Sequence, residues 1–184
     1  NCVDIGPGDG RWTSFLKNFH PSNLIGIDFS EEVLKKNREI CDQILLTNIQ
    51  NEKLPLKSNN IDLILCLEVL EHLTFPDLFI SELMRVMKPG SIAIFSMPNI
   101  LSFISRLRVL LGLLPVAIIS DPTHVKFYRR KEIIRLFSKS QTEIKFYSST
   151  FSLNIFNPKS RFKLRSFGLF SSFDDSLIFS IKKL

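Results

Sequence analysis

A chain of 184 residues, 45% of them hydrophobic, is long enough for one domain and apolar enough to bury a core, which excludes a disordered segment. The net charge of +6 is spread along the chain without a long run, so a basic solvated surface is expected ahead of a nucleic-acid footprint. Cys2, Cys41 and Cys66 lack metal-ligand or redox spacing, and there is no signal peptide and no apolar run of about 18 residues, which predicts reduced thiols in a cytoplasmic protein without a disulfide framework, a metal site or a spanning helix.

In chain order, "NCVDIG" reads as the end of a buried parallel strand. The first residue already lies inside that run and no initiator Met precedes it, so an N-terminally truncated sheet is expected. "RWTSFLKNFH" places Trp12, Phe15, Leu16 and Phe19 on one helical stripe. "LIGIDFS" is a second buried strand, with Ser30 as the N-cap of a helix whose Glu31–Lys35 and Glu32–Lys36 pairs are spaced to meet. "QILLTNI" and "IDLILCL" are strands three and four. Pro76 opens a helix through about Val86, "KPG" ends it, and "SIAIFSMPN" is strand five.

Continuous apolar strands alternating with helices indicate a parallel sheet covered on both faces. After Asn99 the rhythm changes. "ILSFISRLRVLLGLLPVAIIS" is apolar but broken by Gly112 and Pro115, with Ile100, Phe103, Ile104, Leu107 and Leu111 on one face. "RRKEIIRLFSKS" is a helix with Ile133, Ile134 and Phe137 inward, and "TEIKFYSS" and "DSLIFSIKK" form an antiparallel pair around a loop or insertion.

Gly6, Gly8 and Gly10 between the first strand and helix predict a turn that a ligand approaches closely, at a helix N-terminus beyond the carboxyl ends of a parallel sheet. The spacing is G-x-G-x-G; a dinucleotide fingerprint needs a third glycine at position 11, where Arg11 stands.

"VDIGPGDG" resembles the first motif of class I S-adenosylmethionine-dependent methyltransferases. "IGIDFS", "TNI" with "LPLKSNNIDLILCLEVLEHL", and "LMRVMKPGSIAIFSMPN" resemble the family's later blocks in order, and "EVLEHL" is frequent in its type 11/type 23-like branch. The resemblance implies a Rossmann-like, doubly wound, mostly parallel α/β sheet with a C-terminal antiparallel strand pair. It implies one domain over 1–184: a cofactor-binding half (1–99), a lid or substrate segment (100–141) and a strand pair with an insertion (142–184). The implied cofactor is S-adenosyl-L-methionine. Gly6, Gly8 and Gly10 would form the floor under its amino-acid part, with Asp4 orienting that loop. Asp28 would accept from the ribose hydroxyls, and Phe29, Asn48 and Ile49 would surround the adenine. Cys66 and Leu67 end the fourth strand, where main-chain groups would face the methionine moiety, with Glu68 next at the cleft.

Glu71 and His72 fall at the site end of the sheet, where fixing a turn is the expected role. "DPTH" is a turn signal that sets His124 over the cleft as the candidate catalytic base. The expected acceptor is a small molecule or a lipid-linked one, methylated at oxygen, with peripheral membrane contact through 100–119 as a further reading of the apolar segment. A nicotinamide-dependent oxidoreductase, or a non-catalytic binding domain of the same fold, are the alternatives. Nucleic acid is disfavoured as substrate because no Asp/Asn-Pro-Pro-aromatic tetrapeptide is present, although residues 161–173 interleave basic and aromatic residues.

Overall fold

The apolar runs pair as strands of one central sheet. The computed structural model describes residues 1–147, 150–152, 163–165 and 175–184. Its strands are β1 (Cys2–Ile5), β2 (Leu24–Asp28), β3 (Gln43–Leu46), β4 (Ile61–Leu67), β5 (Met87–Pro98), β6 (Thr142–Tyr147), β7 (Thr150–Ser152), β8 (Lys163–Arg165) and β9 (Ser176–Lys183). Its helices are α1 (Arg11–Lys17), α2 (Glu31–Asn37), α3 (Pro76–Val86), α4 (Phe103–Leu110), α5 (Val116–Ile119) and α6 (Arg130–Leu136). Seven strands form a sheet in the order β3-β2-β1-β4-β5-β9-β6, while β7 and β8 pair antiparallel as a separate ribbon. Strands β1 to β5 are parallel, and β9 runs antiparallel between β5 and β6. This is the Rossmann-like doubly wound arrangement with its antiparallel edge.

The chain winds outward from β1 in one direction through β2 and β3, then returns to β4 on the other side of β1. Connections therefore diverge between β1 and β4, leaving a crevice beyond their carboxyl ends, the place where open α/β sheets bind ligands. The core lies under this edge. Val3, Ile5, Ile27, Ile64 and Phe95 are buried with Phe79, Leu83 and Val86 of α3, and with Ile133 and Phe137 at α6. Phe95 stacks on Phe179 of β9 with ring centroids 4.8 Å apart, tying the antiparallel edge to the parallel centre. Helix α3 forms because Pro76 supplies a helical φ at its first turn and Phe79, Ile80, Leu83 and Val86 share an inward stripe. Ser30 caps α2 by accepting from Val33 N–H, and both expected Glu–Lys pairs form.

Several expectations are corrected. Strand β5 begins at Met87, directly after α3; Met87 pairs with Ile61 and Ile92 with Leu63, so Asp62 alone is opposed by the four residues Lys88 to Ser91. The "KPG" segment is thus a bulge in the ladder, with Gly90 left-handed. Of the stripe on α1 only Leu16 is buried; Trp12, Phe15 and Phe19 stand exposed, edge to face with one another. Ile133 and Phe137 are buried but Ile134 faces solvent. Of the apolar face over 100–111 only Ile104 is fully buried; Ile100 and Leu107 are half-buried, and Phe103 and Leu111 are exposed. One face of β4, β5 and β9 is not fully covered: Leu63, Leu67, Ile94 and Ile178 line an open groove of about 670 Å³. The basic and aromatic stretch 161–173 lies outside the described residues apart from the backbone of β8.

Candidate functional site

The glycine turn sits at the carboxyl end of β1. Gly6 N–H donates to Ile27 O of β2 at 2.9 Å, which bends the chain across the neighbouring strand. Gly6 has φ +72°, and a Cβ there would lie 2.6 Å from Val69 Cγ2. Gly8 differs: its φ of +53° is also left-handed, yet a Cβ would meet nothing nearer than Gly6 O at 4.0 Å. The space above Gly8 is therefore open to a ligand, whereas that above Gly6 is filled by the segment following β4. Gly10 faces neither; its missing side chain leaves room for Asn37 Oδ1 and Ile40 of the α2 region, so it serves packing.

Two buried polar groups hold this turn. Asp4 is 2% exposed and accepts from Thr13 Oγ1 of α1 at 2.6 Å. Burial pushes its carboxyl up to about 6, and the Thr13 hydroxyl opposes that shift only in part. Asn37, buried at the end of α2, donates to Gly8 O at 3.1 Å and to Val33 O at 2.9 Å. Sequence reasoning missed Asn37. The signal was a polar residue on the inward stripe of α2, three positions after Leu34, where an apolar residue is expected.

Asp28 ends β2, half-buried, with Oδ1 accepting Ser30 N–H at 2.8 Å. Burial raises its pKa against that hydrogen bond and one from Phe29. Asp28 follows Ile27, the partner of Ile5, so it ends β2 at the same edge of the sheet as the glycine turn, outside the lining of the groove, and its carboxylate can accept from a pair of hydroxyls. Phe29 is exposed beside it. Asn48 is exposed and closes a local turn, its Oδ1 accepting Gln50 N–H at 3.2 Å; Ile49 is buried in the main core. The Cys66 side chain is fully buried while Leu67 lines the groove. Burial pushes the Cys66 thiol well up, so it is inert.

The segment after β4 is strained and polar. Glu68 has φ +54°, an unfavourable region for a residue with a side chain, and is held there by Ser96 Oγ, which donates to its Oε1 at 2.6 Å. Glu71 follows in a 3₁₀ turn (Leu70–His72) and is 1% exposed. Neither of its carboxylate oxygens has a hydrogen-bond partner among the described residues. Burial above all, then the neighbouring Glu68 carboxyl through its charge and a side-chain interaction, and the charge of Asp121, push this carboxyl up to about 8. His124 Nε2 stands 4.0 Å from Glu71 Oε1, and the His72 and His124 rings lie 4.9 Å apart. The "DPTH" turn forms as expected: Asp121 Oδ1 accepts Thr123 N–H and Oγ1–H at 2.8 and 2.6 Å. The main chain of Glu71 ties that loop down by accepting from Val125 and Lys126 N–H.

Asp4, Gly6, Gly8, Glu68 and Leu67 thus line one groove, and Trp12, Phe15 and Phe19 extend its apolar wall. Among the described residues, no helix is long and apolar enough to cross a membrane.

Comparison with known proteins agrees with this geometry. The family described as "Methyltransferase domain" matches residues 3–95. The chain is similar to a mitochondrial ubiquinone biosynthesis O-methyltransferase of Dictyostelium discoideum, 30% identical over 126 residues covering 61% of this chain and 39% of that protein. It is also similar to the ubiquinone biosynthesis O-methyltransferase of Methylococcus capsulatus, 33% identical over 103 residues covering 53% of this chain and 43% of that one. The chain therefore matches about two-fifths of the length of these curated relatives. In fold it is similar to a solved S-adenosylmethionine-dependent methyltransferase of Thermotoga maritima, described as a possible histamine N-methyltransferase, with a TM-score of 0.73 and 21% identity over all of this chain and 82% of the other. The motif order, the sheet topology and the match over residues 3–95 agree, and the chain belongs to the methyltransferase-domain family.

Proposed function

We propose that the chain binds S-adenosylmethionine and directs its methyl group to an oxygen of a small or lipid-linked acceptor. The observation that carries this reading is the open main chain at Gly8, in the turn after β1, together with the half-buried Asp28 carboxylate that ends the neighbouring strand β2. In this reading the cofactor's amino-acid part lies against the turn at Gly8, Gly6 keeps that turn close to Val69, and Asp4 and Asn37 hold it in shape. Asp28 accepts from both ribose hydroxyls. Phe29 and Asn48 flank the adenine, Asn48 offering it an amide rather than a carboxylate, and buried Ile49 backs that wall from the core. The main chain at Cys66 and Leu67 meets the methionine moiety. Gly10 acts through packing against α2.

Bound S-adenosylmethionine supplies an electrophilic methyl on a sulfonium. The protein's task is then to hold the acceptor oxygen in line behind that carbon and to exclude water. His124 acts on the acceptor's hydroxyl proton. Its Nδ1 lies 2.8 Å from Ala117 O, an acceptor only, so Nδ1 carries the hydrogen and Nε2 keeps a lone pair. The names of the Dictyostelium and Methylococcus relatives support a quinone precursor as the acceptor class. A greasy acceptor also suits the surface over 100–119, where Leu110, Leu111, Leu113 and Leu114 are exposed; peripheral contact with a lipid surface through this segment is part of the proposal.

The test is a titration followed by the fluorescence of Trp12, which lines the groove, with S-adenosylhomocysteine and separately with NADH. Saturation by S-adenosylhomocysteine alone is expected. Saturation by NADH alone would transfer the site to the oxidoreductase reading.

A further inference from the structure

A second, smaller recess lies at the carboxyl edge of the sheet, at the end of β5, two strands from the glycine turn. It encloses about 270 Å³ between that strand end, α4 and the start of α6. Arg106, Arg129, Arg130 and Lys131 line it beside buried Asn99, and among the described residues no carboxylate does. Four cations around one small recess repel one another. The carboxylate nearest in sequence, Glu132, is engaged elsewhere. Its Oε1 accepts from Arg129 Nε at 2.8 Å and from Arg129 Nη2, and its Oε2 accepts from Arg129 N–H at 2.7 Å. That pair neutralises Arg129 and leaves the charges of Arg106, Arg130 and Lys131 in the lining. Two of these heads are held in place. Arg106 Nε donates to Leu101 O at 2.8 Å, which fixes the plane of a group with five N–H donors. Arg130 carries its guanidinium over the Phe146 ring, Cζ 5.1 Å from the centroid. Lys131 is exposed and adds a point charge. A solvated basic face keeps its charges apart, whereas here the fold gathers them from α4 and α6.

We propose that this recess is a phosphate-binding subsite in which Arg106, Arg130 and Lys131 hold the anion. Guanidinium forks pair bidentately with phosphate oxygens, and a third cation suits a group of up to two negative charges better than a single carboxylate. At about 270 Å³ the recess is smaller than the roughly 300–1,000 Å³ of sites that enclose a whole small molecule, so it takes one group of a larger ligand. Its place in turnover rests on the methyl-transfer reading: a phosphate anchored at the end of β5 fixes one end of the acceptor, or of the lipid surface that presents it, on the edge where the cofactor binds. Both sources offer the same chemistry. A phosphate on the acceptor itself fits a subsite inside the segment that follows β5. A lipid headgroup fits the exposed Leu110 and Leu111 that continue from Arg106 along and beyond α4. The sequence did not announce the subsite, because Arg106 and the run Arg129 to Lys131 stand far apart in the chain and meet only through the packing of α4 and α6 at the strand end.

The test uses the whole chain, titrated by calorimetry with glycerol 3-phosphate, a soluble phosphate monoester, at an ionic strength held constant with sodium chloride. Saturable binding of one equivalent is expected. Lys131→Gln, at an exposed position where folding is not at stake, weakens it by at least about tenfold, and Arg106→Gln does the same. Lys139→Gln, at an exposed lysine beyond the other end of α6, removes the same charge and leaves binding unchanged. No binding by the unmodified chain, binding untouched in both subsite variants, or an equal loss in Lys139→Gln overturns the assignment. Co-sedimentation with vesicles of phosphatidylglycerol and phosphatidylcholine then identifies the source. Loss of vesicle binding in the two subsite variants, with competition by glycerol 3-phosphate, assigns the phosphate to a lipid headgroup. Vesicle binding kept in variants that have lost glycerol 3-phosphate assigns it to the acceptor. Titration of the same samples with S-adenosylhomocysteine separates this proposal from the reading it rests on. Cofactor binding without phosphate binding removes the subsite alone, and phosphate binding without cofactor binding removes the methyl-transfer reading alone.

Discussion

The Thr13 hydroxyl donates to Asp4 Oδ2 at 2.6 Å, and both residues are buried beneath the glycine turn. A carboxylate there is destabilising for the fold by itself. Its pKa is about 6 in the folded chain against an ordinary value of 3.8, so the folded state binds more protons between those pH values. Stability is accordingly greater below about pH 4 than above pH 6, and the charged form costs about 3 kcal/mol at neutral pH. Asp4→Asn is expected to recover much of that energy at pH 7.5 and to flatten the pH dependence over this window, as read by urea unfolding. Equal stability of the two proteins at pH 7.5 would place the Asp4 carboxyl near its ordinary value.

Gly6 and Gly8 separate folding from ligand space. Gly6→Ala meets Val69 at 2.6 Å and a left-handed backbone, so a loss of about 2–4 kcal/mol in unfolding free energy is expected. Gly8→Ala meets only the backbone penalty, about 1–2 kcal/mol, but places a methyl group in the open space. Its effect on S-adenosylhomocysteine affinity should therefore exceed its effect on stability. The opposite ranking in calorimetry and unfolding would mean that no ligand approaches Gly8.

Replacing Asp28 with Ala removes a half-buried acceptor and should weaken S-adenosylhomocysteine binding by about 1.5–3 kcal/mol, the range for hydrogen bonds to a charged group. The variant keeps Ser30, so the α2 cap survives and far-UV circular dichroism should be unchanged. Undiminished affinity would sink the ribose assignment.

Leu110 is 83% exposed, and Leu114 lies beyond it on the same apolar segment. The double change Leu110→Asp, Leu114→Asp should abolish co-sedimentation with anionic phospholipid vesicles while leaving S-adenosylhomocysteine affinity intact, because neither residue lines the groove. Vesicle binding that persists in the variant would move the contact elsewhere.

Much of the site was legible as chain pattern. Continuous apolar runs, the Ser30 cap and Pro76 placed β1, β2, β4, α2 and α3, because those signals depend on neighbours only a turn away. The alternate glycines and Asp28 marked a ligand edge for the same reason: a left-handed turn and a carboxylate ending a strand are local features. Tertiary structure decided the rest. Periodicity could say that Trp12, Phe15 and Phe19 share a face, but only the sheet could leave that face over an open groove. Asn37 became a brace for Gly8 only once α2 packed on β2 and β3, next to the glycine turn. Glu71 read as a turn residue and His124 as a catalytic candidate, and long-range folding alone set the His124 imidazole 4.0 Å from the buried Glu71 carboxyl. Local sequence determined which backbone conformations the chain adopts; which polar atoms lose water, and so need a partner, was settled by contacts between segments far apart in the chain.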